Sequence, residues 1–298
     1  MRTISLAGLL AREQIATVVG AHDGLSARIA EAAGADALWV SGLAVSTSYG
    51  VPDAGLLTMT EMHAAAVQMR RATSLPIIAD VDCGFGDINV IRRMISLYED
   101  SGIDAVCIED KQYPKRNSFR DGHRLESPQT FARRIAYAKA AQRSDSFMVV
   151  ARHESLIAGA GMDDAIARAR IYRDAGADVL LIHSRLPSPV EVAEYCARWR
   201  EIGGDRPVIA IPTTYYETTA QELQSMGVAA AIYANHLLRS SIQAMEDCLR
   251  SLMRHGTSAP IEPQIASLAR VFALTGTEHL INDDCAEEFH DAQLVGNP

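Results

Sequence analysis

An acid pair, Glu109-Asp110, ends the apolar run Ala105-Val106-Cys107-Ile108 and opens onto Lys111, Lys115, Arg116, Asn117 and Ser118. A carboxylate at the end of a buried strand suits a hard divalent cation, and a loop of cations and hydrogen-bond donors suits an anion held against it. Alone, the stretch reads as a solvated charged loop. A second acidic pair, Asp80 and Asp82, follows another apolar run, Pro76-Ile77-Ile78-Ala79, and shifts the balance towards a site. Asp80, Asp82 and Glu109 are oxygen ligands of the kind that Mg²⁺, or Mn²⁺ in its place, prefers, and a partly hydrated ion leaves positions for substrate. The alternative is that Asp80 and Asp82 cap the next helix. Cys83 has no Cys or His partner at zinc spacing, which argues against a soft-ligand metal.

Other candidates sit at comparable places. Arg152 could fork onto a carboxylate or phosphate, or pair with Glu154 or Glu109. His183 either bonds substrate or is a hydrogen-bonded structural residue. Ser41-Gly42-Leu43 could offer backbone N–H groups to an anion, because Gly42 lets the chain approach closely. Trp39, Tyr49 and Tyr113 read as packing aromatics.

A weak repeat supplies the elements that must position these groups. Residues 33–40, 101–108 and 175–182 share a Gly-X-Asp step followed by a continuous apolar run, and residues 226–233 are a looser copy. The glycine permits a left-handed helix stop, and a run without alternation indicates a strand buried on both faces. Runs at 15–19, 76–79, 147–151 and 207–211 complete eight candidate strands. Helical spacing marks 89–100, 127–142, 162–174 and 189–201 between them. Eight alternating strands and helices predict a (β/α)8 TIM-type barrel over residues 1–298 as one domain, with a mobile loop at about 111–127 and a helical tail over 236–298. No GxGxxG follows the first strand, which argues against a doubly wound sheet. Every strand exit is polar: His22-Asp23, Ser41-Gly42, Asp80-Val81-Asp82, Glu109-Asp110, Arg152-His153-Glu154, His183-Ser184, Thr213-Thr214 and Asn235-His236. The tail is longer than one closing helix requires, so packing on a partner subunit is expected.

The chain has 298 residues, 48% hydrophobic and 22% charged, and a formal net charge of -9. That balance argues against nonspecific nucleic-acid binding. Five scattered cysteines without a CxxC pair fit a reducing cytoplasm, and no window approaches a membrane span. The first residues, MRTISLAGLLAREQ, lack the sustained apolar core of a signal peptide.

The sequence resembles the phosphoenolpyruvate mutase branch of the isocitrate lyase/phosphoenolpyruvate mutase superfamily. The resemblance rests on Trp39-Val40-Ser41-Gly42-Leu43, Gly50-Val51-Pro52-Asp53, Asp80-Val81-Asp82-Cys83-Gly84-Phe85-Gly86, the loop from Glu109 to Ser118, Ala151-Arg152-His153-Glu154, His183-Ser184 and Ala234-Asn235-His236. It implies a barrel with its last helix swapped between subunits, a homotetramer built from such dimers, and a Mg²⁺-held 2-oxo acid or enolate. By the same resemblance Asp80, Asp82 and Glu109 form the metal shell, partly through water. Ser41, Gly42 and Leu43 take the substrate carboxylate and carbonyl oxygen, with Trp39 and Phe119 also in the substrate-binding set. Arg152, Asn117 and Ser118 clamp the phosphoryl group, with His183 nearby. Asp53 matches the catalytic aspartate, a nucleophile or a positioning group, and Lys115 lies on the closing loop. The implied activity is interconversion of phosphoenolpyruvate and 3-phosphonopyruvate. Lyases of the superfamily carry a cysteine in this loop, absent from Lys115-Arg116-Asn117-Ser118. Phosphonopyruvate hydrolases carry threonine where this chain has Asn117. Cys83, Asp87 and His153 depart from the usual threonine, asparagine and valine.

Overall fold

The computed structural model describes residues 4–277 and residue 280. Eight parallel strands close on themselves in sequence order: β1 (Ala16–Ala21), β2 (Ala37–Val40), β3 (Ile77–Asp80), β4 (Ala105–Glu109), β5 (Met148–His153), β6 (Val179–Ile182), β7 (Val208–Ala210) and β8 (Val228–Tyr233). The helices are α1 (Leu6–Ala11), α2 (Gly24–Ala32), α3 (Gly42–Ser48), α4 (Met59–Ala72), α5 (Ile88–Asp100), α6 (Pro128–Ala141), α7 (Gly161–Asp174), α8 (Val190–Glu201), α9 (Ala220–Met226), α10 (His236–His255) and α11 (Leu268–Thr275). All eight strand expectations hold, and α5 to α8 begin and end within one residue of the spans read from spacing. The fold is a (β/α)8 TIM-type barrel.

The repeat has a physical cause at the end of the barrel opposite the polar exits. Its glycines stop a helix in the left-handed region; Gly176 and Gly227 both stand at φ 101. Its aspartates each satisfy the N–H of a residue at the start of the neighbouring strand. Asp36 accepts from Thr17, Asp104 from Ile77 and Asp178 from Val149, at 2.8, 2.8 and 2.7 Å. Each therefore pins one strand to the next before the ladder begins, and leaves the other end of the strands free for chemistry.

Alternate residues fill two cores. Inside the barrel Val18, Trp39, Ile78, Cys107, Val150, Leu181, Ile209 and Ile232 interdigitate, with Leu6, Leu9 and Leu10 of α1 in the same cluster. Outside, Leu38, Ile77, Val106, Val149 and Leu180 meet the surrounding helices through residues such as Ile91, Phe131, Tyr172 and Tyr195. No helix among the described residues is long and apolar enough to cross a membrane.

The chain divides into two compact units, 1–238 and 239–298. In the second, Ile242, Met245, Leu249 and Met253 recur every three or four residues along α10 and are 37–79% exposed. Leu268, Val271 and Phe272 of α11 are exposed as well. Within the stretch expected as a helical tail, α10 and α11 are described; its remainder, Cys285 included, lies outside the described residues.

Gly20 marks the seam where β1 meets the exit of β8. A Cβ there would stand 2.0 Å from the Ala234 carbonyl oxygen, a backbone atom that cannot swing aside. Gly20→Ala is expected to destabilise the barrel by roughly 2–3 kcal/mol. Thermal denaturation followed by circular dichroism checks this, and an unchanged Tm contradicts it.

Candidate active site

The strand exits converge on a cavity lined by residues from seven strand ends and from the loop after β4. Every site residue implied by the resemblance lines it except Gly42 and Asp82. Those two stand just behind. A Cβ on Gly42 would lie 3.2 Å from Asp80 Oδ2 and 3.4 Å from Asp82 Oδ1, so glycine is what lets α3 begin against both carboxylates. Ser41 caps α3, its hydroxyl accepting from the Ala44 N–H at 3.3 Å. The Gly42 and Leu43 N–H groups fall in the first turn, ahead of any intrahelical acceptor. Asp82 takes φ 50, a left-handed conformation that costs a non-glycine residue about 1 kcal/mol or more.

Charge dominates the cavity. Asp53, Asp80, Asp82, Glu109 and Glu154 are all largely buried, and three cations interleave them. Lys115 Nζ lies 2.6 Å from Asp53 Oδ1 and also pairs with Asp82. Arg152 reaches Glu154 at 2.5 Å, Glu109 at 3.6 Å and Asp80 at 3.9 Å. Both pairings considered for Arg152 in the sequence therefore form. Lys111 bridges Glu154 Oε2 at 3.1 Å and Glu109 Oε2 at 3.3 Å. Burial pushes the Asp80 and Asp82 carboxyls up, Asp82 to about 7, and although Lys115 opposes this, neighbouring carboxylates add to it. Asp53 differs. Burial acts against its charge, but Lys115 and a hydrogen bond from Asn117 hold it below the usual carboxylate range. Burial lowers His183, with Glu154 opposing.

The loop spanning 111–127 folds over the cavity as a lid. Its ends are clasped by a bridge between Lys111 and Leu125 and by the Gln112 N–H donating to the Arg124 carbonyl at 2.8 Å. Lys115 is only 6% exposed. Asn117 Nδ2 donates to Asp53 Oδ2 at 2.7 Å, while its Oδ1 accepts from the Phe119 N–H at 3.1 Å, which fixes the carboxamide at both ends. Ser118 Oγ donates to Glu154 at 2.8 Å and accepts from Lys111 at 2.6 Å and Arg152 at 2.8 Å, using all the capacity of a hydroxyl. The Phe119 ring stands edge-on to His183 at 6.0 Å.

Several expectations need correction. Of the acid pair, only Glu109 faces the cavity. Asp110 turns behind the sheet, where it accepts from Arg168 at 2.9 Å and Tyr172 at 2.7 Å, because adjacent residues at a strand end point to opposite sides. Asp80 and Asp82 do not cap α5; Asp87 does, accepting from Asn89 and Val90 at 2.9 and 3.1 Å. No three Asp, Glu, His or Cys side chains among the described residues converge tightly enough to ligate one ion directly. The cations set between the carboxylates are the reason. Trp39 packs inside the barrel as expected, but Tyr49 and Tyr113 are 50% and 69% exposed. His153, a departure from the family pattern, faces outward and meets Tyr195 Oη at 2.8 Å. Cys83 is buried, and burial pushes its thiol up.

Lys111, Arg116, Glu154, Thr213 and Asn235 carry no separate site role by sequence, yet Glu154 gathers Lys111, Ser118 and His183 as well as Arg152, and the other four line the cavity. Their signal was present in the polar strand exits, which hold Glu154, Thr213 and Asn235, and in the basic run after Glu109.

A family model described as phosphoenolpyruvate phosphomutase matches residues 6–253. The chain is 41% identical over 281 residues to the phosphoenolpyruvate phosphomutase of Streptomyces hygroscopicus, covering 93% of this chain and 89% of that protein. It superposes on a crystal structure of the phosphoenolpyruvate phosphomutase from Streptomyces platensis subsp. rosaceus with a TM-score of 0.92 and 42% identity, over 94% of this chain and 97% of that one. A phosphonopyruvate hydrolase solved in complex with oxalate and Mg++ gives a TM-score of 0.88 at 33% identity, over 94% and 96%.

Burial lowers the His153 imidazole from 6.5 to about 3. The unfolded chain therefore binds more protons at this residue as pH falls from about 6.5, and stability is lost towards pH 3. His153→Leu is expected to remove that part of the slope, whatever fixed cost the lost Tyr195 hydrogen bond brings. Urea unfolding between about pH 7 and pH 4 reads it, and parallel slopes for parent and variant contradict the assignment.

Proposed function

The chain belongs to the phosphoenolpyruvate phosphomutase family, and on that premise we propose that it interconverts phosphoenolpyruvate and 3-phosphonopyruvate. The reaction breaks the bond from phosphorus to the enol oxygen and forms one from phosphorus to the enolate carbon. It needs an anion held still, developing charge neutralised, and water kept out. In this reading Ser41, Gly42 and Leu43 hold the carboxylate and enol oxygen, and Trp39 and Phe119 flank them. Arg152, Asn117 and Ser118 hold the phosphoryl group as it leaves oxygen, with His183 beside them.

The observation that carries the reading is the double tether on Asp53. One oxygen pairs with Lys115 and the other accepts from Asn117. A carboxylate held ionised with both oxygens engaged is poorly placed to take a proton from water, so Asp53 acts as a positioning group rather than a hydrolytic base. Threonine in place of Asn117 is shorter and would free the second oxygen.

The carboxylates also fit a divalent cation. Glu109 Oε1 is buried without a hydrogen-bond donor, and the five carboxylates outnumber Arg152, Lys111 and Lys115 by the charge of one dication. Asp80, Asp82 and Glu109 would hold Mg²⁺, in large part through water, as that ion prefers. When bound, it would neutralise charge on the enolate oxygen.

We further propose that the exposed apolar stripes of α10 and α11 pack against second copies of the chain, giving a homotetramer of helix-swapped dimers. Their support is the recurrence of Ile242, Met245, Leu249 and Met253 on one stripe. Size-exclusion chromatography with light scattering should give a tetramer mass; a monomer contradicts it.

Phosphorus NMR of the purified protein with phosphonopyruvate and Mg²⁺ tests the function. Phosphoenolpyruvate is expected with little free phosphate, and EDTA should abolish it. Rapid phosphate release without phosphoenolpyruvate would establish the hydrolase instead. Asn117→Thr should lower mutase turnover about a hundredfold, the typical loss for one transition-state donor, and raise phosphate release. Undiminished mutase turnover in that variant would remove Asn117 from its role.

A further inference from the structure

Two separate sets of side chains fasten the lid. Lys115 pairs with Asp53 in the cavity wall and with Asp82 just behind it, and Asn117 donates to Asp53. Lys111 and Ser118 converge instead on Glu154, which is fully buried. The Glu154 carboxylate takes the Arg152 Nε at 2.5 Å, the Ser118 hydroxyl at 2.8 Å, Lys111 Nζ at 3.1 Å and His183 Nδ1 at 3.1 Å. One anion therefore binds two lid residues, the arginine proposed to clamp the phosphoryl group, and the histidine beside it. Its backbone is fixed equally firmly. The Glu154 N–H donates to Asp110 Oδ1 at 2.9 Å, and Asp110 Oδ2 is held by Arg168 and Tyr172. Arg168 also donates to the Glu126 carbonyl at 3.0 Å, at the far end of the lid.

We propose that Glu154 is a positioning residue that couples lid closure to the setting of Arg152, through Lys111 and Ser118. This rests on the phosphoryl-transfer reading above. Without the lid, the buried carboxylate keeps only Arg152 and His183 as side-chain partners. Closure adds the Lys111 ammonium and the Ser118 hydroxyl, so full neutralisation of Glu154 accompanies sealing of the cavity. Ser118 touches Arg152 and Glu154 together, so the guanidinium is held in one orientation only when the lid is down. A lid that closes less often exposes the transferring group to water. The water oxygen then bonds to phosphorus, the carbon–phosphorus bond of phosphonopyruvate breaks towards the enolate, and a proton from that water ends on carbon, giving pyruvate and phosphate.

Glu154→Gln keeps the shape and removes the charge. Turnover is expected to fall about 10- to 100-fold, as for outer partners that orient a site residue, while phosphate formed per phosphoenolpyruvate rises roughly tenfold. Limited proteolysis should cut within 111–127 faster than in the parent. Lower turnover with an unchanged product ratio and unchanged lid cleavage would reduce Glu154 to a structural residue and overturn the proposal. Lys111→Met, which leaves Glu154 in place, should shift ratio and cleavage the same way, and it carries the test should Glu154→Gln fail to fold. The double variant should be no worse than the weaker single one; additive losses would show that the two act separately. If the parent yields no phosphoenolpyruvate, the functional reading falls, whereas lid cleavage with and without Glu154 still decides this one.

Discussion

Everything about the cavity follows from the cost of burying like charges together. Asp53, Asp80 and Glu109 line the cavity with Asp82 and Glu154 close behind, and a buried carboxylate left without a partner costs several kcal/mol. Arg152 alone cannot meet that demand. The lid supplies the other two cations, Lys111 and Lys115, so covering the site and balancing its charge depend on the same segment. Remaining negative charge sits around Asp80, Asp82 and Glu109, where burial and mutual repulsion raise the carboxyls of both aspartates. In the proposed function a hard dication would offset that excess, which reconciles a strongly acidic cavity with an anionic substrate.

The barrel tolerates this strain because it is stabilised elsewhere. Aspartates of the repeat pin neighbouring strands at one end, α1 closes the interior below, and two apolar cores fill the layers. The opposite strand ends are thereby released from structural duty. They can carry Asp82 in a left-handed conformation, and a glycine at position 42 against two carboxylates. Arg168, Asp110 and Tyr172 extend the same rigidity outward, linking the end of β5 to the base of the lid.

Architecture was legible because strand and helix signals are local. Unbroken apolar runs, a glycine stop and a repeat with a fixed aspartate leave little freedom for anything but a parallel barrel. The approximate positions of site residues were legible for the same reason, since a strand exit is defined by where the run ends. Direction was not. Glu109 and Asp110 look equivalent in sequence, yet adjacent residues leave a strand on opposite sides, and only one faces the cavity. His153 illustrates the same limit beside Arg152. Partnership was hidden more deeply. Nothing in the spacing of Lys111, Ser118 and Glu154 announces that they meet, because the contact exists only when the lid folds back across the barrel. Asp87 could have been read as the α5 cap, since it stands immediately before the helical pattern.

The central claim is that a sealed, charge-balanced cavity moves the phosphoryl group within one substrate molecule without admitting water. It is tested most directly with phosphonopyruvate carrying heavy oxygen at every phosphoryl position, converted in ordinary water and followed by mass spectrometry. The account predicts phosphoenolpyruvate that retains every one of those labels. Phosphoenolpyruvate that has exchanged a phosphoryl oxygen for one from solvent would contradict it.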